Sequence, residues 1–184
     1  MLACRSIRVA AELTLATPTP RPWWRWLLLA AAVIALDLAT KAWIVALFRE
    51  GQELPVTSFF SLVLAYNTGA AFSFLAGADG WQRWLFGGIA IVASAFLVWM
   101  LKRGGSRLLC TGLALILGGA LGNLWDRVMI GRVTDFLLFH YGSWSWPAFN
   151  VADSAITIGA AFLILDSFRA HHGNRGPAAP TGHD

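Results

Sequence analysis

Four apolar runs bracketed by charged side chains constrain this chain more than any other feature. Crossing the hydrocarbon core of a bilayer takes about 17 to 25 helical residues. Between Arg25 and Arg49 lie 23 residues interrupted only by Asp37, Thr40 and Lys41. Trp84 to Leu101 and Leu108 to Trp125 each hold 18 uncharged residues. The fourth run has only 12 between Asp153 and Asp166, so it spans only by starting near Pro147 and drawing Asp153 into the membrane. Composition agrees: 57% of residues are apolar, 13% are charged and ten are Trp, too apolar for an ordinary water-soluble domain. The predicted fold is an all-α membrane protein with four transmembrane helices, over about 26–48, 84–101, 108–125 and 148–166, plus a small β element.

The β element falls in Pro55 to Leu75, which tempts a fifth span. It opens with Pro, alternates polar and apolar residues through Val56-Thr57-Ser58-Phe59-Phe60-Ser61, and holds Asn67-Thr68-Gly69. That pattern suits strands and a tight turn. Charge distribution sets the orientation, since cytoplasmic loops retain Lys and Arg. Arg5, Arg8, Arg21 and Arg25 precede the first span against Glu12, and Lys102 to Arg107 carries three positive charges and no acid. Segments 49–83 and 126–153 each hold two Arg against three acids. Both termini are therefore expected in the cytoplasm, with the two long segments outside forming a β-rich cover over any site there.

Residues 1–22 read as a loose extension, 23–170 as the membrane domain and 173–184 as a Gly/Pro-rich tail. The run from Trp26 is too long for a cleaved signal and is expected to remain as an anchor. A pI near 9.7 invites nucleic acid, but the basic residues sit between apolar spans and form no long stripe, so no nucleic-acid partner is expected. The expected partner is the lipid bilayer.

An ionisable side chain in such a chain is a functional hypothesis by default. Asp135, in Gly131-Arg132-Val133-Thr134-Asp135-Phe136, and Asp153, in Phe149-Asn150-Val151-Ala152-Asp153, each stand in apolar sequence. If the fourth span ends near Asp166, Asp153 lies about 20 Å from the cytoplasmic end, just under the outer face. Asp135 can fold back to the same depth. Two carboxylates within a few ångströms share one proton, giving an acid and a base together, which suits water-mediated peptide hydrolysis. The plainer alternative is that Asp135 caps a turn and Asp153 caps the fourth helix.

Five blocks then bear on the choice: Asp37-Leu38-Ala39-Thr40-Lys41, Asn67-Thr68-Gly69-Ala70-Ala71-Phe72, Gly118-Gly119-Ala120-Leu121-Gly122-Asn123-Leu124-Trp125-Asp126-Arg127, Gly131 to Phe136, and Phe149 to Asp153. In this order they resemble the motif series of bacterial lipoprotein signal peptidase, also called signal peptidase II. The resemblance implies an intramembrane aspartic endopeptidase of the bacterial inner membrane. Its substrates would be diacylglyceryl-modified prolipoproteins, cut just before the lipidated cysteine near the periplasmic leaflet by a monomer without metal or cofactor. It places the catalytic pair at Asp135 and Asp153. Asp37, Lys41, Asn67, Gly69, Asn123, Asp126, Arg127 and Asn150 match positions that shape the site or hold substrate. Ala39 departs from the family, which often has a polar residue there.

Each position also has a structural reading. Asp37 and Lys41, four apart on a helix, can neutralise each other. Asn67 suits a turn, Asn123 and Asn150 can bridge helices, and Asp126 with Arg127 can form an interfacial ion pair. Gly118, Gly119 and Gly122 suit close helix contact. His-Glu-x-x-His and Gly-x-Ser-x-Gly motifs are absent. The rival from another class is a proton- or cation-coupled transporter with Asp37, Asp135 and Asp153 as relay sites.

Overall fold

The computed structural model describes residues 22–68 and 81–173; Gly69, the extension and most of the tail lie outside the described residues. Four long helices and a small sheet account for them. They run in the order α1 (Arg25–Leu47), β1 (Glu53–Pro55), β2 (Phe60–Asn67), α2 (Gln82–Arg103), α3 (Arg107–Met129), β3 (Val133–Tyr141), β4 (Trp144–Ser145) and α4 (Val151–Gly173). All four helices are long and apolar enough to cross a membrane. Of the stretch that tempts a fifth span, Pro55 ends β1 and Phe60–Asn67 form β2, and residues 69–75 lie outside the described residues.

α3 is the central helix, packed against α1, α2 and α4. Inside a bilayer lipid tails are as apolar as leucine, so close van der Waals packing rather than water exclusion holds helices together, and small residues permit it. A Cβ on Gly118 would stand 2.7 Å from Val33 Cβ and 2.8 Å from the Ala30 carbonyl. One on Gly119 would strike the Ala152 carbonyl, and Gly112 and Gly159 face each other's carbonyls across α3 and α4 at 2.8 and 2.7 Å. The glycines thus serve close helix contact. At the far end from the sheet, Leu97, Leu101, Leu113, Leu117, Cys110 and Ala30 form the buried core. Gly104, at φ 74°, breaks α2, and Ser106 starts α3 by accepting the Leu109 N–H at 3.0 Å.

The sheet is antiparallel in the order β1-β2-β3-β4. β2 and β3 run from Phe60 opposite Phe139 to Asn67 opposite Val133, with an irregularity between Leu62 and Ala65. Ile44, Leu64 and Phe136 bury together and fasten the sheet to the end of α1. β3 is nine residues long, well beyond the Val133-Thr134 pair, because apolar and aromatic residues continue through Tyr141 and find a partner strand. The fourth helix starts at Val151 rather than near 148. Phe149 instead bridges Leu137, with N–H to carbonyl bonds of 3.0 and 2.8 Å running both ways. Extended backbone therefore reaches Asn150 before the helix begins.

Candidate active site

That bridge brings the two acids together. Phe149 is tied to β3 two residues beyond Asp135, and the next residue, Asn150, immediately precedes α4. Asn150 and Asp153 form a reciprocal cap: the Asp153 N–H donates to Asn150 Oδ1 at 2.9 Å, and the Asn150 N–H donates to Asp153 Oδ2 at 3.3 Å. The Asn150 side-chain amide meanwhile donates to Asp135 Oδ1 at 2.7 Å and to the Thr134 carbonyl at 3.2 Å. One fully buried asparagine therefore touches both carboxylates. Asp153 does cap its helix, and in doing so is aimed at the site. Asp135 caps no turn; it sits inside β3.

Asn123 on α3 holds the other side. Its amide donates to Asp153 Oδ1 at 2.7 Å, while its oxygen accepts from Lys41 Nζ at 3.1 Å and from the Asn150 amide at 3.2 Å. A lysine has no acceptor, so this contact fixes which way the Asn123 amide points. Lys41 Nζ lies 2.7 Å from Asp37 Oδ2 and 3.2 Å from Asp126 Oδ2. This buried ammonium joins two carboxylates of opposite helices to the asparagine pair. Asp37 Oδ1 also accepts the Ala152 N–H at 2.9 Å, supplying an acceptor to the first turn of α4. A Cβ on Gly122 would stand 2.7 Å from Asp37 Oδ2, so glycine there makes room for the ion pair.

Asp37 and Lys41 neutralise each other as the helical spacing predicts, but the expected pairing of Asp126 with Arg127 does not form. Asp126 turns inward to Lys41 and accepts the Thr134 N–H at 2.9 Å, a buried pair of donors that the interface does not offer. Arg127 instead donates to the Asn123 carbonyl at 3.1 Å and stacks over Phe86 at 5.5 Å. Asn67, at the end of β2, hydrogen-bonds Asp135. Of the sequence candidates, all but Gly69 are thus gathered at one end of the bundle. Thr134 and Ala152 act through backbone atoms and carry no side-chain signal, whereas the Asn-x-x-Asp spacing of the cap was available in the sequence.

Asp135 lies outside the helices and is 3% exposed. Burial, and after it the charge of Asp153, pushes its carboxyl up to about 7, while the Asn150 and Asn67 amides and the Lys41 charge act the other way. The site has an apolar approach. A cavity of about 360 Å³ is lined by Trp146, Phe149, Asp153, Ser154, Thr157 and Ile158. Its two hydroxyls are turned back onto the helix: Ser154 Oγ donates to the Asn150 carbonyl and Thr157 Oγ1 to the Asp153 carbonyl, both at 2.9 Å. Among the described residues no three His, Cys, Asp or Glu side chains converge to hold a metal.

Fold and site define a multi-pass membrane protein with a buried and a half-buried carboxylate close together at one end of its helical bundle, opening to an apolar cavity. The family model described as signal peptidase (SPase) II matches residues 29–169. The chain is 57% identical over 145 residues to a lipoprotein signal peptidase of Ralstonia nicotianae, covering 78% of this chain and 84% of that one. It is 55% identical over 151 residues to that of Paraburkholderia phytofirmans, covering 82% and 88%. A solved bacterial membrane enzyme superposes with a TM-score of 0.73 at 28% identity, covering 84% of this chain and 93% of that one. The chain belongs to the signal peptidase II family. It is a membrane peptidase that removes signal peptides from prolipoproteins, which sets the transporter reading aside.

Proposed function

We propose that Asp135 and Asp153 are the catalytic pair and that they cut diacylglyceryl-modified prolipoproteins just before the lipidated cysteine. The observation that carries this reading is the Asn150 bridge between the two carboxylates, with one of them held near neutrality by burial. Asp135 holds the shared proton, and Asp153, whose oxygens face the Asn123 amide and the Asn150 N–H, serves as the base.

A water between them loses a proton to Asp153 as its oxygen attacks the scissile carbonyl carbon, and Asp135 gives its proton to the carbonyl oxygen. The tetrahedral intermediate then collapses. Asp153 passes its proton to the departing nitrogen, the C–N bond breaks, and Asp135 recovers the proton of the collapsing hydroxyl. Neither a metal nor a covalent intermediate is required.

Asn123 and Asn150 keep the pair in place, and Lys41, with Asp37 and Asp126, anchors Asn123. Asn67, Gly69 and Arg127 are assigned to the substrate backbone. The enzyme works as a monomer in the bacterial inner membrane, with the bilayer as its surroundings and the site near the outer leaflet, where exposed Tyr141, Trp144 and Trp146 suit the interface. Buried methylenes of the diacylglyceryl group contribute about 0.8 kcal/mol each, so lipid dominates selectivity. The test is cleavage by purified protein of a lipidated and an unlipidated precursor. Strong preference for the lipidated form is expected; equal processing of both would refute lipid recognition.

A further inference from the structure

The end of the bundle opposite the carboxylates carries a second concave feature. Where α3 begins and α4 nears its end, a cavity of about 440 Å³ is lined by Ser106, Arg107, Leu108, Asp166 and Arg169. Arg169 follows Asp153 by 16 residues, about 24 Å along a helix, so this notch is separate from the site above. Its one acid is engaged within the protein: Ser106 Oγ hydrogen-bonds Asp166 Oδ1 while accepting the Leu109 N–H. Its two guanidinium groups are not. Arg107 and Arg169 are exposed, and neither is in an ion pair among the described residues.

The notch sits in a strongly positive rim at the level of the lipid headgroups. Arg25 at the start of α1 and Lys102 and Arg103 at the end of α2 stand at the same end of the bundle as Arg107 and Arg169 of the notch, whose one acid is Asp166. Lys102 lies over the Trp23 ring at 5.1 Å and Arg103 over the Trp99 ring at 3.9 Å, and indoles settle at the membrane–water interface. Lys102 and Arg103 are thereby occupied by aromatic faces, and Arg107 and Arg169 are the cations that line the common concavity. Two guanidinium forks from different helices match the oxygens of a phosphate group, and Leu108 offers apolar surface beside them.

We propose that this notch binds the phosphate group of an anionic phospholipid, held by Arg107 of α3 and Arg169 of α4. A zwitterionic headgroup brings its own ammonium into the positive rim and binds less well. Bound there, the lipid ties the start of α3 to the end of α4.

The experiment is native mass spectrometry of the full-length protein released from detergent in the presence of phosphatidylglycerol or phosphatidylcholine, with inorganic phosphate as competitor. Wild-type protein is expected to retain one phosphatidylglycerol about tenfold more strongly than phosphatidylcholine, in keeping with two interfacial arginines. Arg107→Gln with Arg169→Gln abolishes the preference, whereas Lys102→Gln with Arg103→Gln preserves it. If the double glutamine variant does not fold, Arg107→Lys with Arg169→Lys keeps the charge, loses the forked geometry and lowers the preference several-fold. Absence of preference in the wild type, or equal loss in the two glutamine pairs, overturns the site in favour of a general positive field. Displacement of the lipid by millimolar inorganic phosphate would make it a free-phosphate site and overturn the lipid assignment.

Discussion

The Asn150 side chain donates to Asp135 Oδ1 at 2.7 Å from the residue that caps the helix bearing Asp153. A helix start, a strand and the placement of the two carboxylates therefore depend on one amide. Capping and positioning can be separated experimentally. Asn150→Ser keeps a capping oxygen and loses the bond to Asp135; kcat is expected to fall about 10²-fold with little change in thermal stability. Asn150→Ala loses both, adding a stability loss of about 1 kcal/mol. Steady-state cleavage and thermal melts in detergent measure the two effects.

The pH dependence follows from Asp135. Its folded-state value, about 7, lies above the free value of 3.8, so the folded protein holds a proton that the unfolded chain releases between those limits. The associated stability is complete below pH 4 and is lost as pH rises through about 7. Asp135→Asn, which cannot ionise, is expected to raise the melting temperature at pH 8 relative to wild type and to narrow that difference at pH 5. Wild-type cleavage should fall above about pH 7 as the acid partner loses its proton. A rate still climbing at pH 9 would exclude this assignment of the proton.

The buried Lys41 lies between Asp37 and Asp126, and removing it leaves two carboxylates unpaired. Lys41→Met is expected to destabilise the protein by about 3 to 5 kcal/mol. Lys41→Met combined with Asp37→Asn should recover part of the loss. Failure of the second change to recover anything would show that the ion pair is not the source.

Gly122→Ala forces a Cβ to 2.7 Å from Asp37 Oδ2, whereas a Cβ on Gly88 meets nothing within 4 Å. The first substitution is expected to lower the melting temperature and reduce cleavage. The second should be neutral or mildly stabilising, since alanine favours helix by about 1 kcal/mol over glycine. Parallel melts of the two variants read the contrast.

Much of this architecture is legible in the sequence because a bilayer leaves few options: charged bookends and run length mark the four helices, and Pro55 with the alternation after it excludes a fifth. The start of α4 was less legible, because Phe149 pairs with Leu137, a contact between distant segments that no local pattern announces. The same holds for Asp126. Its sequence neighbour Arg127 suggests an ion pair, but folding offers Lys41 from 85 residues away. Asn150 and Asp153 were visible as acid and amide. Their reciprocal cap needed only the three-residue spacing to be read as a helix start.

Asp135 and Asp153 are proposed to act as a pair on one water. The most direct test is cleavage of a diacylglyceryl-modified precursor by purified Asp135→Asn and Asp153→Asn variants near pH 6, with melting curves confirming that each is folded. Either substitution alone is expected to lower the rate by at least about 10³-fold. Cleavage at the wild-type rate by either folded variant would contradict the pairing.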